Sequence, residues 1–598
     1  MYTRKRTVIA CNFCRRRKRK CDGKKPCATC VDASAECAYQ ELPLDKIEES
    51  VPAAVTERLG RIEAILEQQF QQIYQLNARA GQSPYPTSQS DHTSENQGNL
   101  VPLPPDFNPS LESFPFLIPK NHTAVAAALI TCPQVRNVVG EYEQDCFLEM
   151  EEKLPLPGLL DRIHDGPLTW PVLVSQTVDT LTANYFQYVH PHQPLFTPQM
   201  FESWQKTLLG AQNLDGNAAA ICLCVYALGV LSSPQSGGGK APETLGLEYF
   251  QPALKIIIRE VLWGFRPGIL ACTALLLSAS YFAHLGRPVH SLRMGHFASR
   301  AFLNILESRQ NNPTYAELDD AEVRVYWQCF MIECDGIAEL DTSRSGIEPL
   351  ENTMPLPHRL GQSDDRCHIY SITEYTIRRL LNRIISTLYS PDSAHQYLRL
   401  SPDPVGVWQP PCLRKLSSVS AELDRQLEQW YSSIPDYLRF SKGTSFLPDD
   451  RSRVLRLRYY MARHLIYRPF LLQTVSMQHK GRSQPQSSLV APDSFSLPDP
   501  VVMDRCQTCI DSCVTYLYNA ADMIDKRSPY LWTFSQNCIA TLVLLWLAEN
   551  SAPISHLVPA TRPIQSVILE KLRRWAVGSS SLDIGVQIVE RLMFLDHP

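Results

Sequence analysis

The sequence predicts a mostly α-helical protein in three parts: a small cysteine-stapled head, a short coiled coil and a large all-α body. Three observations predict it. Six cysteines fall between Cys11 and Cys37, and apolar residues then recur with coiled-coil spacing from Val55 to Leu76. Beyond about residue 125 they recur at helical intervals, with no alternating run long enough for a sheet. At 598 residues the chain has room for several domains, and 44% hydrophobic with 20% charged residues implies a sizeable core. The net charge of -4 conceals an asymmetry: residues 1–40 hold eleven Lys/Arg and three Asp/Glu, leaving a cationic head on an acidic remainder.

The head is spaced Cys11-x2-Cys14-x6-Cys21-x5-Cys27-x2-Cys30-x6-Cys37. Each half offers two thiols on a tight turn and a third some residues on, so three sulfurs converge on one soft cation. Zinc suits such thiolate-rich tetrahedral sites. Six thiols give two ions four ligands each only if two sulfurs are shared, and the first thiol of each half is the natural bridge. A disulfide framework belongs to secreted chains, and the start Met-Tyr-Thr-Arg-Lys-Arg has no long apolar segment of a signal peptide. Between Cys14 and Cys21 every residue is basic: Arg15, Arg16, Arg17, Lys18, Arg19 and Lys20. A short helix covered only by cations repels itself and needs a polyanion to face.

These residues resemble the binuclear zinc cluster (Zn2Cys6) of fungal transcription regulators, with a match at all six cysteines and at Pro26 before the fourth. The resemblance implies two Zn2+ ions per chain, one held by Cys11, Cys14, Cys21 and Cys27, the other by Cys27, Cys30, Cys37 and Cys11. It also implies that the basic helix enters the DNA major groove and reads a CGG triplet through Lys18 and the backbone at Arg17. Lysine or arginine to guanine O6 and N7 is the commonest specific contact. Arg15, Arg16, Arg19 and Lys20 then mostly hold phosphates. On this reading the DNA-binding domain spans 8–40.

Residues 41–54, with Pro43 and Pro52, read as a linker. Val55, Leu59, Ile62, Leu66, Gln69, Ile73 and Leu76 then follow at spacings of 4 and 3, an a/d seam over three heptads, so 55–78 is expected to be a coiled coil that pairs two chains. Two clusters on one coil span two triplets, with the linker setting their spacing. Residues 79–124 turn to Gln, Ser, Pro, Asn and Thr and are expected to be a disordered linker, with Phe114-Pro-Phe116-Leu-Ile118 as a short docking motif for a partner or for the chain's own body.

From 125 to 598 the expectation is one all-α body. Met294, Phe297, Ala298, Ala301, Phe302, Ile305 and Leu306 mark one helix face, and Val323, Tyr326, Trp327, Phe330, Met331, Cys334 and Ile337 mark a second. A third helix, Val454 to Tyr467, is expected to stop before Pro469. Tyr185-Phe-Gln-Tyr-Val-His190-Pro-His192-Gln-Pro-Leu-Phe196, Gly286-Arg-Pro288 and Val325-Tyr-Trp327-Gln-Cys-Phe330 with Asp335 resemble the landmarks of the fungal-specific transcription factor domain, an all-α regulatory region that accompanies the cluster.

The apolar runs Ala218–Leu231, Ile269–Ala283 and Cys538–Ala548 are shorter than the ~20 residues of a membrane span and read as core helices. No membrane association is expected. Thirteen further cysteines lie mostly in apolar segments and read as reduced, buried thiols of a nuclear or cytosolic protein.

His190 and His192 lack a third ligand at metal spacing, Cys506, Cys509 and Cys513 form one helix stripe, and Ser236-Gly-Gly-Gly-Lys240 departs from the phosphate-loop pattern at Pro234 and Ala241. Asp145–Glu152 mixes acid and hydrophobe, like an activation motif or an amphipathic surface helix. The resulting expectation is no enzyme. It is a nuclear, zinc-dependent, sequence-specific regulator of RNA polymerase II genes that binds double-stranded DNA as a homodimer. It recruits transcription machinery or co-regulators, with a small-molecule effector as a further partner of the body. The rival is a zinc-binding protein–protein adaptor, for which DNA selection enriches nothing.

Overall fold

The computed structural model describes residues 12–17, 19, 21, 26–33, 35 and 37 of the head, then 117–156, 160, 170–210, 216–233, 244–264, 267–309, 318–359, 365–393, 410–483 and 499–594. The chain divides into two compact units, Met1–Gly60 and Arg61–Pro598. The expected coiled coil, the linker 41–54, the motif's Phe114 and Phe116, and the glycine run Ser236–Lys240 lie outside the described residues. Among those residues there is no strand, and the mostly α fold class holds for both units.

The first unit contains two five-residue helices, α1 (Asn12–Arg16) and α2 (Ala28–Asp32). Helices this short do not persist alone in water. Their interior is sulfur: Cys14, Cys27 and Cys30 are buried, with Phe13, Cys21 and Cys37 packed around them.

The second unit opens with α3 (Ala126–Ile130), α4 (Pro133–Val139), α5 (Cys146–Lys153) and α6 (Ser175–Asn184). After a π-turn and a 3-10 turn through His192 come α7 (Pro198–Gly210), α8 (Asn217–Leu231), α9 (Leu247–Trp263), α10 (Ile269–His284), α11 (Pro288–Ser308) and α12 (Asp320–Leu340). The rest is α13 (Asp365–Leu388), α14 (Pro410–Ser433), α15 (Asp450–Ser483), α16 (Pro500–Met523), α17 (Leu531–Glu549), α18 (Arg562–Arg573) and α19 (Ser581–Phe594).

The three apolar runs become α8, α10 and most of α17, each apolar around its whole circumference and buried almost throughout. The 19 residues of α17 have the length and composition to cross a membrane, yet they are wholly enclosed by the body, as befits a core helix. It packs against α3, α16 and α19 and touches α10 and α12. At the crossing of α6 and α8, a Cβ on Gly229 would sit 2.2 Å from the Leu181 carbonyl oxygen, so only glycine permits that approach. The start of α12 is a capping box: the Glu322 N–H donates to Asp319 Oδ1 at 2.8 Å and the Asp319 N–H to Glu322 Oε2 at 3.0 Å.

Three expectations are corrected. The third helix does not stop at Tyr467: α15 runs through Pro469 to Ser483. Proline removes the N–H that would bond the Leu465 carbonyl, and the buried Tyr389 hydroxyl donates to that carbonyl instead, so the helix continues at no unsatisfied group. On α11, Phe297 is exposed, while Gly295 and Ser299 take the inner face beside Ala298 and Phe302. Gly295 lets Ile332 of α12 come close, which rotates the buried face away from the phenyl ring.

Finally, residues 117–124, expected as the end of the disordered linker, are ordered against the body. The Ile118 N–H donates to Glu348 Oε1 at 2.9 Å, Arg344 donates to the Ile118 carbonyl at 2.5 Å, the Thr123 N–H bonds the Tyr389 carbonyl at 3.0 Å, and Arg468 donates to the Ala124 carbonyl at 2.8 Å. At Ile118, the one motif residue with these bonds, the backbone is held by Arg344 and Glu348 of the chain's own body, and residues 123 and 124 are held by Tyr389 and Arg468.

Candidate metal centre and nucleic-acid face

Each turn of the head brings one thiol inward. Cys14 lies within α1, and its carbonyl accepts from the Arg19 N–H at 3.0 Å, which closes the chain just past the helix. Cys27 caps α2 in an extended conformation, with its carbonyl accepting from the Cys30 and Val31 N–H groups at 2.9 and 3.0 Å, so that Cys30 falls one turn on and points to the same interior. The Ala35 N–H bonds the Cys30 carbonyl at 2.9 Å and turns the chain back towards Cys37.

The sulfurs of Cys14, Cys27 and Cys30 all lie within 4.8 Å of one another, and Cys14 Sγ is 3.6 Å from Cys27 Sγ. Among the described residues no two cysteines are joined by a disulfide. A disulfide needs about 2 Å between sulfurs, whereas two sulfurs on one tetrahedral zinc at ~2.3 Å sit about 3.8 Å apart. The donor set therefore fits zinc. Cys27 also meets the third thiol of its own half, because its N–H donates to Cys37 Sγ at 3.2 Å. Backbone donors of this kind disperse the negative charge of thiolates.

Four arginines of the basic run fall among the described residues. Arg15 and Arg16 complete α1, Arg17 forms the turn and Arg19 follows; Arg17 and Arg19 are exposed. The Arg17 guanidinium stands 5.8 Å from the centre of the Phe13 ring, a packing contact the sequence did not announce. Cys11, Lys18 and Lys20 lie outside the described residues.

In the body, the histidines and cysteines weighed as metal ligands are packed among their neighbours. His190 Nε2 bonds the Phe196 carbonyl at 2.8 Å and His192 Nδ1 meets the Tyr370 hydroxyl at 3.1 Å, so neither ring is aimed at a shared ion. Burial pushes both imidazoles down to about 4 and keeps them neutral. Cys506, Cys509 and Cys513 are buried along α16. Asp145–Glu152 forms the α5 region, whose Cys146 and Phe147 are buried and whose Glu151 accepts from the Ser581 N–H and hydroxyl at 2.9 and 2.5 Å.

Sequence reading missed a buried charge network. Arg458 of α15 holds Asp335 of α12 bidentately, at 2.6 Å for each bond, and Arg378 of α13 adds a third bond at 3.1 Å. The two guanidinium groups hold the Asp335 carboxyl below its usual range against the opposing effect of burial. Arg458 also lies 3.3 Å from Glu374. The available signal was Arg458 itself, a cation inside the apolar run Val454-Leu-Arg-Leu-Arg-Tyr-Tyr-Met461, where a charge implies a buried partner.

The thiol core fits zinc and is edged by the exposed Arg17 and Arg19, and its likeness to fungal regulators supports a DNA-binding transcription regulator. Residues 9–46 match the fungal Zn(2)-Cys(6) binuclear cluster domain, so the amino-terminal unit carries this cluster and its two zinc ions.

Over 584 residues the chain is 24% identical to the putative transcription factor ecdB of Aspergillus rugulosus, covering 92% of this chain and 91% of that protein. It is 22% identical over 523 residues to a putative transcriptional regulatory protein of Schizosaccharomyces pombe, covering 78% of this chain and 59% of that one. Over 37 residues alone it is 54% identical to a maltose fermentation regulatory protein of Saccharomyces cerevisiae, 6% of this chain and 8% of that one. The protein is thus similar to fungal transcription factors over most of its length.

Proposed function

We propose that the protein binds paired CGG triplets in the nucleus as a homodimer and regulates RNA polymerase II genes by recruitment, with no bond made or broken. The observation that carries this reading is the convergence of Cys14, Cys27 and Cys30 beside an unbroken run of cations. In it, Cys11, Cys14, Cys21 and Cys27 hold one zinc and Cys27, Cys30, Cys37 and Cys11 the other. The bound ions supply rigidity: they fix an otherwise marginal five-residue helix so that its side chains present one geometry to the base edges. Lys18, with the backbone at Arg17, reads guanine, and Arg15, Arg16, Arg19 and Lys20 hold phosphates.

Residues 8–40 form the DNA-binding domain, 41–54 its linker and 55–78 the coil that pairs two chains. Val55, Leu59, Ile62, Leu66, Ile73 and Leu76 form its seam and Gln69 sets its register. The remainder is the regulatory body that meets co-regulators.

Selection of binding sites from random duplexes by the full-length, zinc-loaded protein tests the reading. The expected product is two CGG triplets at a fixed spacing. Lys18→Ala should relax choice at the triplet, by about 1–3 kcal/mol of lost discrimination, whereas Arg15→Ala should weaken all duplexes alike and lower the salt dependence. Enrichment of no sequence would instead make the protein a zinc-binding adaptor.

A further inference from the structure

Three stretches distant in sequence, around His192, around Pro288 and around Asp335, meet at one cavity of about 100 Å³ in the body. Its wall is completed by Glu374 of α13 and by Tyr530, Trp532 and Thr533 at the start of α17. The volume is about two-thirds of the ~150 Å³ of an enclosed cavity that holds benzene, but this space is partly open, so a single small ring is about the largest occupant it suits.

The two sides of the wall differ in chemistry. One side is apolar, with Leu292, Met331, Ile332 and Trp532. The other carries the carboxylates of Asp335 and Glu374 and, among the described residues, no lysine or arginine. The cations that balance these carboxylates, Arg458 and Arg378, bind them without lining the cavity.

A chain of hydrogen bonds orders the polar side. Tyr530 donates to Glu374 Oε2 at 2.9 Å, Tyr370 and Tyr530 hydroxyls are 2.8 Å apart, and His192 Nδ1 follows at 3.1 Å. With Tyr530 donating to the carboxylate and Tyr370 donating to Tyr530, His192 supplies its proton from Nδ1 and keeps Nε2 as an acceptor. The wall is thus rich in acceptors and poor in positive charge. One further wall residue, Ser280, has a buried hydroxyl with no hydrogen-bond partner.

We propose that this cavity is a ligand site for a small, non-anionic ring compound bearing an O–H or N–H donor. The ring lies against Leu292, Met331 and Trp532, and the donor faces the Asp335–Glu374 side. An anion is disfavoured there because it would approach two carboxylates with no cation on the wall. The proposal depends on the regulator reading only for its biological meaning, as an effector site. Because the wall is drawn from separate helices, the site exists only in the folded body, and a bound ligand must raise its melting temperature.

The test uses the full-length, zinc-loaded protein without DNA, titrated with benzyl alcohol, benzylamine and benzoate as probes. Binding is read by saturation-transfer NMR and melting by tryptophan fluorescence, since all nine tryptophans lie beyond residue 169. Benzyl alcohol or benzylamine should bind saturably and raise the melting temperature, and benzoate should do neither. Ser291→Leu on α11 should fill the space and weaken binding at least about tenfold. Ser280→Val fills it from α10 and serves where the first variant fails to fold.

Absence of saturable binding by both donor probes, equal binding of benzoate, or unchanged affinity in a folded filling variant overturns the site. Each of these outcomes is independent of CGG selection, so the ligand site and the DNA reading fail separately.

Discussion

Cys27 is the residue at which the two halves of the head meet. Its sulfur lies 3.6 Å from that of Cys14, while its own N–H donates to Cys37 Sγ. On the proposed ligand set Cys27 is shared, so its removal is felt at both ions, whereas Cys37 serves one. Cys27→Ser leaves both sites one thiolate short and should therefore lose most of its zinc, whereas Cys37→Ser leaves one four-thiolate site complete and should retain about one ion per chain. Zinc per chain by atomic emission after gel filtration checks this, and equal residual zinc in the two variants would exclude the sharing. The thiols were legible in the sequence because ligand spacing is set by local turns, which the sequence encodes directly. The contact of Arg17 with Phe13 was not, because a cation in a basic run gives no sign of which neighbour it covers.

At the scale of one element, α15 carries a cost that a neighbour removes. Pro469 leaves the Leu465 carbonyl without its helical donor, and the Tyr389 hydroxyl of the residue following α13 fills the gap. Tyr389→Phe should destabilise the body by about 1–3 kcal/mol, the cost of a buried acceptor left unmade. In a Pro469→Ala background, where the helix supplies its own N–H, the same substitution should cost measurably less. A double-mutant cycle by urea unfolding reads the coupling, and additive effects would show that the hydroxyl does not replace the lost bond. This element also shows where sequence reading ends. Proline marks a helix stop by local sterics, but the hydroxyl that overrides it is 80 positions away. The all-round burial of α8, α10 and α17 was legible from composition alone, whereas the exposure of Phe297 turns on Gly295 admitting Ile332, a contact between helices. The cavity was legible only in fragments: His192, Pro288 and Asp335 stood out singly, and nothing local says that they meet.

Taken whole, the body encloses ionisable groups whose proton affinities are moved in opposite directions by the same burial. His190, His192, His284, His290 and His368 are pushed down to about 4, so they stay neutral where the unfolded chain, titrating near 6.5, takes up protons. Their contribution is present above about pH 6.5 and is lost as pH falls towards 4. Glu339 is raised to about 8 and Glu348 to about 7, again chiefly by burial. A raised carboxyl contributes fully below its unfolded value near 4.5, and that contribution is lost as pH climbs through the folded value. The body should thus melt highest at intermediate pH and lose stability on both sides, by separate groups. Glu339→Gln separates the alkaline side, because the amide keeps an oxygen for the Asn537 side chain, which donates to Glu339 Oε1 at 2.9 Å, and has no proton to lose. The melting temperature of the variant should nearly match the wild type below about pH 5 and exceed it by a margin that grows up to about pH 8 and then levels off, read by tryptophan fluorescence on the full chain. A margin that stays constant with pH, or reverses, would mean that Glu339 is ionised throughout and held by Arg468 rather than kept neutral by burial.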